Sequence, residues 1–495
     1  MFNPQERRTS ITFLAFLLVA CLLLCGISSA APFISLSKKS GPPTSRILVS
    51  GRGFEPNVGV DIYFDTKDEA LVITDGKGEF ANAKVYAPRS ACPSQHWVTA
   101  LERNNDEGAQ KPFLVRTDWD QFHFDADGTR LNPYENVLNP STVRGIGLTW
   151  AYATAFTVYS SPAVANGVAY VGSNAGTFYA LNAHTGAELW GYPANMYSLS
   201  AAVANGVVYF GSTDSNLYAL NAHTGAKLWS FAARDIMGTP AVANGVVYVG
   251  SNDGNVYALN AYTGAKLWSF YGPDDVQSSP TVTNGVVYVG AYRGNVYALD
   301  ARTGAKLWSY TTDTSVFSSP AVANGVLYVG SYDHNVYAIN ASTGVELWSY
   351  ATGGIVDSSP AVADGVVYFG SQDNNVYALN ASTGAKLWSY TTGGSVDSSP
   401  AVANGVIYFG SYDDDVYALD ARTGAKLWSY TTGDYVFSSP AIANGMVYVG
   451  SSDNSIYAFG LPHSDEPERT ASSRPDLKTL RPDFSLKVSK PVATP

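Results

Sequence analysis

The sequence predicts an all-β fold, and three observations lead to this prediction. Gly (46) and Tyr (33) are abundant while only 14% of the 495 residues are charged, a composition that favours short strands and tight turns over long charged helices. From position 150 onward the chain repeats itself with a period near 40 residues, which is typical of repeat architectures. Each repeat contains four short runs rich in Val, Tyr and Ala, separated by turn residues.

The N-terminal segment, residues 1–31, reads as an export signal. Arg7 and Arg8 precede an apolar run from Ile11 to Ile27, and small residues that suit cleavage follow that run. The run is also long enough to cross a bilayer, so retention as an N-terminal membrane segment stays open. In either case we expect the protein to be exported, and to be secreted or associated with the cell envelope.

The three cysteines are informative about how the chain could be anchored to a membrane, and less so about its stability. Cys21 follows Leu-Val-Ala at positions 18–20, which looks like a bacterial lipobox, so a lipid on Cys21 is an alternative anchor. Three leucines follow this cysteine, where lipoproteins normally turn polar. Cys92 is the only cysteine in a chain cleaved after Ala30, so we expect no intrachain disulfide.

Residues 33–116 predict a small β-sandwich. Short apolar runs such as Val60–Phe64 and Trp97–Ala100 alternate with Gly, Pro and Asp turns. The sequence S-G-P-P at positions 40–43, followed by V-S-G-R-G-F at positions 49–54, resembles the opening of bacterial immunoglobulin-like domains of the IPT/TIG type. This resemblance implies an immunoglobulin-like domain ahead of the repeats.

Residues 147–461 predict an eight-bladed β-propeller, because four strands per repeat make one blade. Seven repeats carry a Thr-Gly pair with a Trp five residues after the Thr, but the last repeat, from Ser438 to Phe459, ends without one. Trp150 lies ahead of the first repeat, so its strand would complete the last blade and close the ring by its termini. The tryptophans of the repeats are Trp150, Trp190, Trp229, Trp268, Trp308, Trp348, Trp388 and Trp428.

The repeat sequence A-L-N-A-x-T-G-A-K-L-W, as at positions 258–268, is similar to the tryptophan-docking repeat of the PQQ-like, quinoprotein-type β-propeller superfamily. W-D-Q-F at positions 119–122 and N-P-Y-E-N at positions 132–136 look like the lead-in segment of such propellers, so residues 117–146 are expected to form a lead-in linker. Residues 462–495 are rich in Pro and have no apolar run. We expect them to form a disordered tail.

Candidate binding residues occupy two sets of positions that differ between repeats. One set directly precedes S-S-P, and the other lies in the turn after G-S. Both loops belong to the same end of a four-stranded blade, so we expect them to converge around one mouth of the central channel. Aromatic rings beside polar groups are typical of protein-binding hot spots and equally suit stacking on sugars. The candidate recognition face consists of Tyr159, Gln277, Tyr292, Arg293, Phe317, Tyr332, Asp357, Asp397, Tyr412 and Phe437.

The residue types used in catalysis and metal binding do not combine into a recognised motif. The sequence contains no G-x-S-x-G elbow, no P-loop and no His or Cys with zinc-like spacing. Asp357 and Asp397 could face each other as an acid/base pair, although equivalent residues of adjacent repeats are expected to match. The repeated Asp of turns such as residues 252–255 is expected to tolerate left-handed backbone geometry. We therefore predict no catalytic, cofactor-binding or metal-binding residue.

The charge distribution and the motifs are compatible with two classes of function, a binding scaffold and an enzyme. The net charge of −11 arises in the repeated region, which has no basic stripe, so we expect no nucleic-acid partner. The main hypothesis is a monomeric, non-enzymatic extracytoplasmic scaffold that binds a protein or a glycan through one face of the ring. The family resemblance implies an alternative, a PQQ-dependent dehydrogenase with a quinone and calcium in the central channel. Such enzymes often carry a catalytic Asp and adjacent cysteines, but residues 147–461 contain no cysteine.

Overall fold

The computed structural model describes residues 31–125, 127–174, 176–194, 200–234, 236, 238–272, 274–462, 472–482, 486 and 488. The described residues divide into two compact units. The N-terminal unit contains those within Met1–Pro88, Ser94–Val115 and Thr470–Pro495, and the large unit contains those within Arg89–Pro93 and Arg116–Arg469. No helix in these described ranges is long and apolar enough to cross a membrane. The predicted export signal, residues 1–31, lies outside the described residues except for position 31.

The N-terminal unit contains two sheets. Its strands are β1 (Phe33–Leu36), β2 (Ser40–Gly41), β3 (Arg46–Arg52), β4 (Gly59–Phe64), β5 (Lys67–Ile73), β6 (Phe80–Tyr86), β7 (Gln95–Glu102) and β8 (Gly108–Val115). One sheet has the order β1-β3-β6 and the other β2-β8-β7-β4-β5. Ile47 and Val85 in the first sheet and Ile62, Val98 and Phe113 in the second are fully buried, because alternate residues of each strand point to the same face.

The sequence predicts a disordered tail at residues 462–495, but part of this segment belongs to the N-terminal unit. Trp97 Nε1 donates a hydrogen bond to the Ser472 carbonyl at 2.8 Å, and the Arg474 guanidinium lies 5.7 Å from the Trp97 ring centroid. Leu480 is buried beside Tyr63, shortly after a 3-10 helix at Leu477–Thr479. Residues 472–480 therefore contribute to the packing of this unit.

The large unit consists of antiparallel four-stranded sheets of the kind that form propeller blades, one of which gains a short fifth strand in parallel. β9 (Leu131–Asn132) and a 3-10 helix (Val143–Gly145) precede them. Among the described residues, seven consecutive sheets, each from inner to outer strand, are β11–β14 (Ala163–Ala165, Val168–Gly172, Thr177–Asn182, Glu188–Pro193), β15–β18 (Ala201–Ala204, Val207–Ser212, Asn216–Asn221, Lys227–Ala232), β19–β22 (Ala241–Ala243, Val246–Gly250, Asn255–Asn260, Lys266–Tyr271), β23–β26 (Thr281–Thr283, Val286–Gly290, Asn295–Asp300, Lys306–Thr311), β27–β30 (Ala321–Ala323, Val326–Gly330, Asn335–Asn340, Glu346–Ala351), β31–β34 (Ala361–Ala363, Val366–Gly370, Asn375–Asn380, Lys386–Thr391) and β35–β38 (Ala401–Ala403, Val406–Gly410, Asp415–Asp420, Lys426–Thr431).

A further sheet joins the two ends of the repeated region. It contains β10 (Gly147–Ala153), β39 (Ala441–Ala443), β40 (Met446–Ser451) and β41 (Ser455–Gly460), in the order β10-β41-β40-β39. β10 pairs antiparallel with β41, so the strand that contains Trp150 is the outer strand of the last sheet.

Each repeated Trp connects its sheet to the next one. Trp268 Nε1, for example, donates to the Ala301 carbonyl at 3.0 Å. A Cβ on Gly304 would lie 2.6 Å from the Trp268 ring, and Gly304 has a left-handed φ of 74°. The Thr-Gly turn therefore needs glycine both for its backbone conformation and for close contact with the indole. Trp428 donates instead to the Ile146 carbonyl, because the last sheet has no Thr-Gly turn.

A closed belt of hydrogen bonds runs around the inner ends of the sheets. In each S-S-P sequence, or its equivalent, the backbone N–H of the second residue donates to the side-chain hydroxyl of the equivalent residue in the next sheet. The last of these bonds, from Ser439 N to Ser161 Oγ at 2.9 Å, returns to the first sheet. The belt consists of Ser161, Ser200, Thr239, Ser279, Ser319, Ser359, Ser399 and Ser439.

A central segment, which consists of the described residues 117–125 and 127–132, runs along the inner strands. These strands are sheet edges, and the middle residues of five of them donate backbone hydrogen bonds to carbonyls of the central segment instead of to water. β9 at its end pairs in parallel with β35. The inner-strand residues that donate to its backbone carbonyls are Val164, Val203, Val322, Val362 and Val402.

Candidate functional site

The structure places the two variable loops of each repeat side by side at one end of the sheets. The backbone N–H of Tyr332, in the turn after G-S, donates to the carbonyl of Ser315, which lies just before S-S-P in the same repeat. Tyr412 N bonds to the Ser395 carbonyl in the same way. Side chains from the turn also reach the residue before S-S-P in the following repeat, 25 positions further on. The ten residues of the recognition face therefore share one surface of the large unit.

Aromatic side chains form two groups on this surface. In the first group, Phe317 contacts Tyr292 with ring centroids 5.8 Å apart and Tyr332 edge-to-face at 4.8 Å. In the second group, Phe437 contacts Tyr159 at 5.7 Å and Tyr412 at 6.4 Å. Tyr292 is 51% exposed, so the first group is open to a partner.

Two carboxyl groups, Asp357 and Asp397, lie between these aromatic groups in neighbouring sheets. The Tyr332 hydroxyl lies close enough to Asp357 to lower the pKa of that carboxyl, and the Tyr412 hydroxyl acts on Asp397 in the same way. Gln372 Nε2 donates to Asp397 Oδ2 at 3.4 Å. Each aromatic group is thus linked to the carboxyl pair by the phenol of one tyrosine.

Burial changes the acidity of both carboxyl groups. Burial, and then the negative charge of Asp397, raise the pKa of Asp357 to about 7. Burial also raises the pKa of Asp397 above its ordinary value, against the opposing hydrogen bonds from Tyr412 and Gln372. Asp357 is therefore protonated below about pH 7, and above that pH the pair holds negative charge that is poorly solvated.

Gln277 and Arg293 make local contacts on the same surface. Gln277 Nε2 donates to Asn252 Oδ1 at 3.0 Å. The exposed Arg293 forms an ion pair with the buried Asp274, with 2.9 Å between Nε and Oδ1, so its charge is already matched. The corresponding positions before S-S-P in two repeats, 199 and 237, lie outside the described residues.

The repeated Asp in the turns has a different role from the expected one. In the turn at residues 252–255 the left-handed residue is Gly254, with φ of 81°, and not Asp253. Asp253 Oδ1 accepts the backbone N–H of Asn255 at 2.9 Å, and its Oδ2 accepts the Tyr257 hydroxyl at 2.6 Å. The carboxylate therefore stabilises the turn by hydrogen bonding, which also explains why Tyr recurs four residues later.

Two features escaped the sequence reasoning. Tyr435 stacks on Tyr412 at 5.1 Å and is 50% exposed, which adds it to the second aromatic group. The available signal was that the residue three positions before S-S-P also differs between repeats. In the N-terminal unit, a cavity of about 860 Å³ is lined by side chains that include Phe33, Arg52 and Phe80.

The residues around the inner strands do not fit a quinone with calcium. The central segment places Trp119, Arg130 and Asn132 there, each at most 1% exposed. Arg130 donates to the carbonyls of Pro400 and Phe122, both at 2.7 Å, and burial lowers its pKa to about 9. Within the described residues, no three His, Cys, Asp or Glu side chains are grouped so that they could hold a metal ion. The described residues around the inner strands thus provide closely packed side chains and no metal-ligand group.

The repeated sheets, the docked tryptophans and the repeat sequence define a β-propeller protein with PQQ-like repeats. The chain belongs to the PQQ-like repeat family whose description is outer membrane protein assembly factor BamB. The family's sequence model matches residues 147–269, 233–319, 293–397 and 391–461, which together span more than half of the chain. No curated protein sequence matches the chain.

Solved structures with a similar fold differ widely in function. BamB from Moraxella catarrhalis shares 20% sequence identity, with a TM-score of 0.56 over 64% of this chain and 99% of that one. Quinohemoprotein alcohol dehydrogenase from Comamonas testosteroni shares 17%, with a TM-score of 0.61 over 69% and 80%. The computationally designed Ika8 protein shares 19%, with a TM-score of 0.57 over 62% and 97%. At these identities the similarity shows the fold alone.

Proposed function

We propose that this protein is a non-enzymatic extracytoplasmic scaffold that binds a protein partner through the recognition face. The observation that carries the proposal is the continuous surface of aromatic, amide and carboxyl side chains at one end of the sheets. Such surfaces are typical of protein-binding hot spots, in which a few aromatic and charged groups supply most of the binding energy. The central segment lies along the inner strands, so we place the ligand on the rim that the variable loops form.

The scaffold we propose is an eight-bladed propeller closed by its termini, with an immunoglobulin-like domain at its N-terminus as a spacer or second binding module. Support for closure comes from the hydrogen-bond belt, which returns from Ser439 to Ser161, and from the pairing of β10 with β41. A closed ring holds the loops of all blades in fixed positions. The recognition face is therefore preorganised, which lowers the entropic cost of binding.

A protein partner is favoured over a glycan by the family description, which names an assembly factor for outer membrane proteins. Under this proposal residues 1–31 direct the chain out of the cytoplasm, and the monomer stays near a membrane through that segment or through a lipid on Cys21. A glycan remains the alternative ligand, because the aromatic rings also suit sugar stacking.

Site-specific photo-crosslinking tests this function. We would place p-benzoylphenylalanine at Tyr332 and, as a matched control, at Ser382, an exposed position in a turn at the opposite end of the sheets. The proposal predicts a discrete protein adduct in cell envelopes from position 332 and none from position 382. Equal adducts from both positions, or none from position 332 and from a second probe at Tyr412, would contradict it.

A PQQ-dependent dehydrogenase is the second candidate, favoured by the similarity to quinohemoprotein alcohol dehydrogenase. The central segment argues against a dehydrogenase, because its side chains Trp119 and Arg130 are buried along the inner strands. Adding PQQ and calcium to the purified protein, followed by dye-linked oxidation of alcohols and sugars, separates the two candidates. Stoichiometric quinone with turnover would replace the scaffold proposal, and a colourless, inactive protein is the expected result.

A further inference from the structure

We infer that the partner inserts a basic side chain, arginine in preference to lysine, between Asp357 and Asp397. This inference rests on the proposed function and specifies the chemistry of the group that the recognition face binds. It is carried by the position of the two carboxyl groups between two aromatic groups on one partly exposed surface.

The carboxyl pair has negative charge that this surface does not neutralise. Within the described recognition face, Arg293 is the one basic residue, and it is already paired with Asp274. The donors to the pair are uncharged: the hydroxyls of the two tyrosines and the Gln372 amide. Two partly buried acids with only neutral donors are matched best by a cation.

The groups around the pair favour a planar cation with several donors. Asp397 Oδ1 is buried and has no hydrogen bond of normal geometry among the described residues. On one side of the pair the Tyr332 ring contacts the Phe317 ring. On the other side the Tyr412 ring contacts the Phe437 ring. A guanidinium has five N–H donors in a plane and stacks on aromatic rings. It can therefore bond to the carboxylates while its faces contact the aromatic groups.

Other ligands satisfy only part of this arrangement. A neutral sugar would stack on the rings but would leave the charge of the two carboxylates unmatched. A divalent cation would find no third acidic or histidine ligand in the described part of the site, and metal sites rarely form on two carboxylates alone. Arginine matches the charge, the donors and the rings together.

Short peptides test the inference on the intact protein. We would titrate acetyl-Gly-Arg-Gly-amide and the same peptide with citrulline in place of arginine at pH 8, with ligand-observed NMR as the readout. Citrulline keeps the shape and loses the charge. We expect the citrulline peptide to bind at least about tenfold more weakly, since a hydrogen bond to a charged group contributes more than a neutral one. The lysine peptide should fall between the two.

Variants locate the site. The double variant Asp357→Asn and Asp397→Asn should lower affinity for the arginine peptide at least about tenfold, while Asp313→Asn, an exposed acid before the same S-S-P motif as Phe317, should leave it unchanged. Equal binding of the arginine and citrulline peptides to the wild-type protein would overturn the inference even if the double variant fails to fold. Unchanged binding by a folded double variant would also overturn it.

Crosslinking separates failure of this inference from failure of the proposed function. If the partner still crosslinks at position 332 of the double variant with wild-type yield, the inference is wrong and the scaffold proposal stands. If a neutral oligosaccharide binds the wild-type protein in preference to the arginine peptide, the inference is wrong and the glycan alternative replaces the protein partner. If no partner crosslinks to the wild-type face, the proposed function itself is wrong.

Discussion

Asp357→Asn should stabilise the protein at pH 8 and not at acidic pH. The folded protein raises the pKa of Asp357 from 3.8 to about 7 through burial and the charge of Asp397. The folded state therefore holds a proton that the unfolded state releases, so stability is full below pH 4 and falls as the pH rises toward 7. The difference of about three pKa units corresponds to about 4 kcal/mol at pH 8.

Asparagine removes this penalty because it stays neutral and its side-chain oxygen still accepts the Tyr332 hydroxyl. Urea denaturation should show the variant about 4 kcal/mol more stable than the wild type at pH 8 and within about 1 kcal/mol at pH 4. Asp313→Asn, which neutralises an exposed carboxylate, should change stability by less than about 0.5 kcal/mol at either pH. A stability difference that does not depend on pH would contradict this prediction, because it would show that the folded state does not raise the pKa of the Asp357 carboxyl.

Three further predictions concern the framework of the molecule. Gly304→Ala should lower the free energy of unfolding by about 3 kcal/mol, because the new Cβ clashes with Trp268 and the backbone is left-handed. Gly325→Ala is the control: its Cβ meets open space at a similar φ, so the loss should be only about 1 kcal/mol. Equal losses for the two variants in thermal melts would contradict the docking role of the Thr-Gly turn. Asn132→Leu removes hydrogen bonds to four backbone groups, three of them in buried bonds, and should lower the free energy of unfolding in urea by at least about 3 kcal/mol. A loss below about 1 kcal/mol would show that the central segment does not hold the inner strands. Deleting residues 470–495 should lower the melting temperature of the N-terminal unit by several degrees in calorimetry and leave the large unit unchanged; a transition of the N-terminal unit at its wild-type temperature would show that the tail contacts carry no stability.

The fold of the repeated region could be predicted from the sequence because every sheet is stabilised by the same set of contacts. The period near 40 residues records one Trp, one Thr-Gly turn and one Asn-Gly turn per sheet. In the Asn-Gly turn at Asn324, with φ of 51°, and Gly325, with φ of 79°, both residues are left-handed, as a type I′ hairpin requires. Trp150 stood out as a Trp without a preceding repeat, which pointed to the outer strand of the last sheet.

The packing of the central segment and of the tail could not be predicted from the sequence in the same way. The central segment bonds to inner strands through backbone carbonyls, and a backbone carbonyl is the same in every residue, so the sequence holds no record of the pairing. The tail is held by single contacts, such as Ser472 with Trp97, instead of by an apolar run. The carboxyl pair was visible as Asp357 and Asp397, but its raised pKa depends on burial, which a sequence pattern does not give.

Amide hydrogen exchange on the complex with the crosslinked partner tests the recognition face most directly. We expect the partner to slow exchange in the turns around Tyr332, Gln372 and Tyr412, and to leave the Thr-Gly turns at the opposite end, such as that at Ser382, unchanged. Protection confined to the opposite end, or to the outer strands, would contradict the claim that this protein binds its partner through the ring of variable loops.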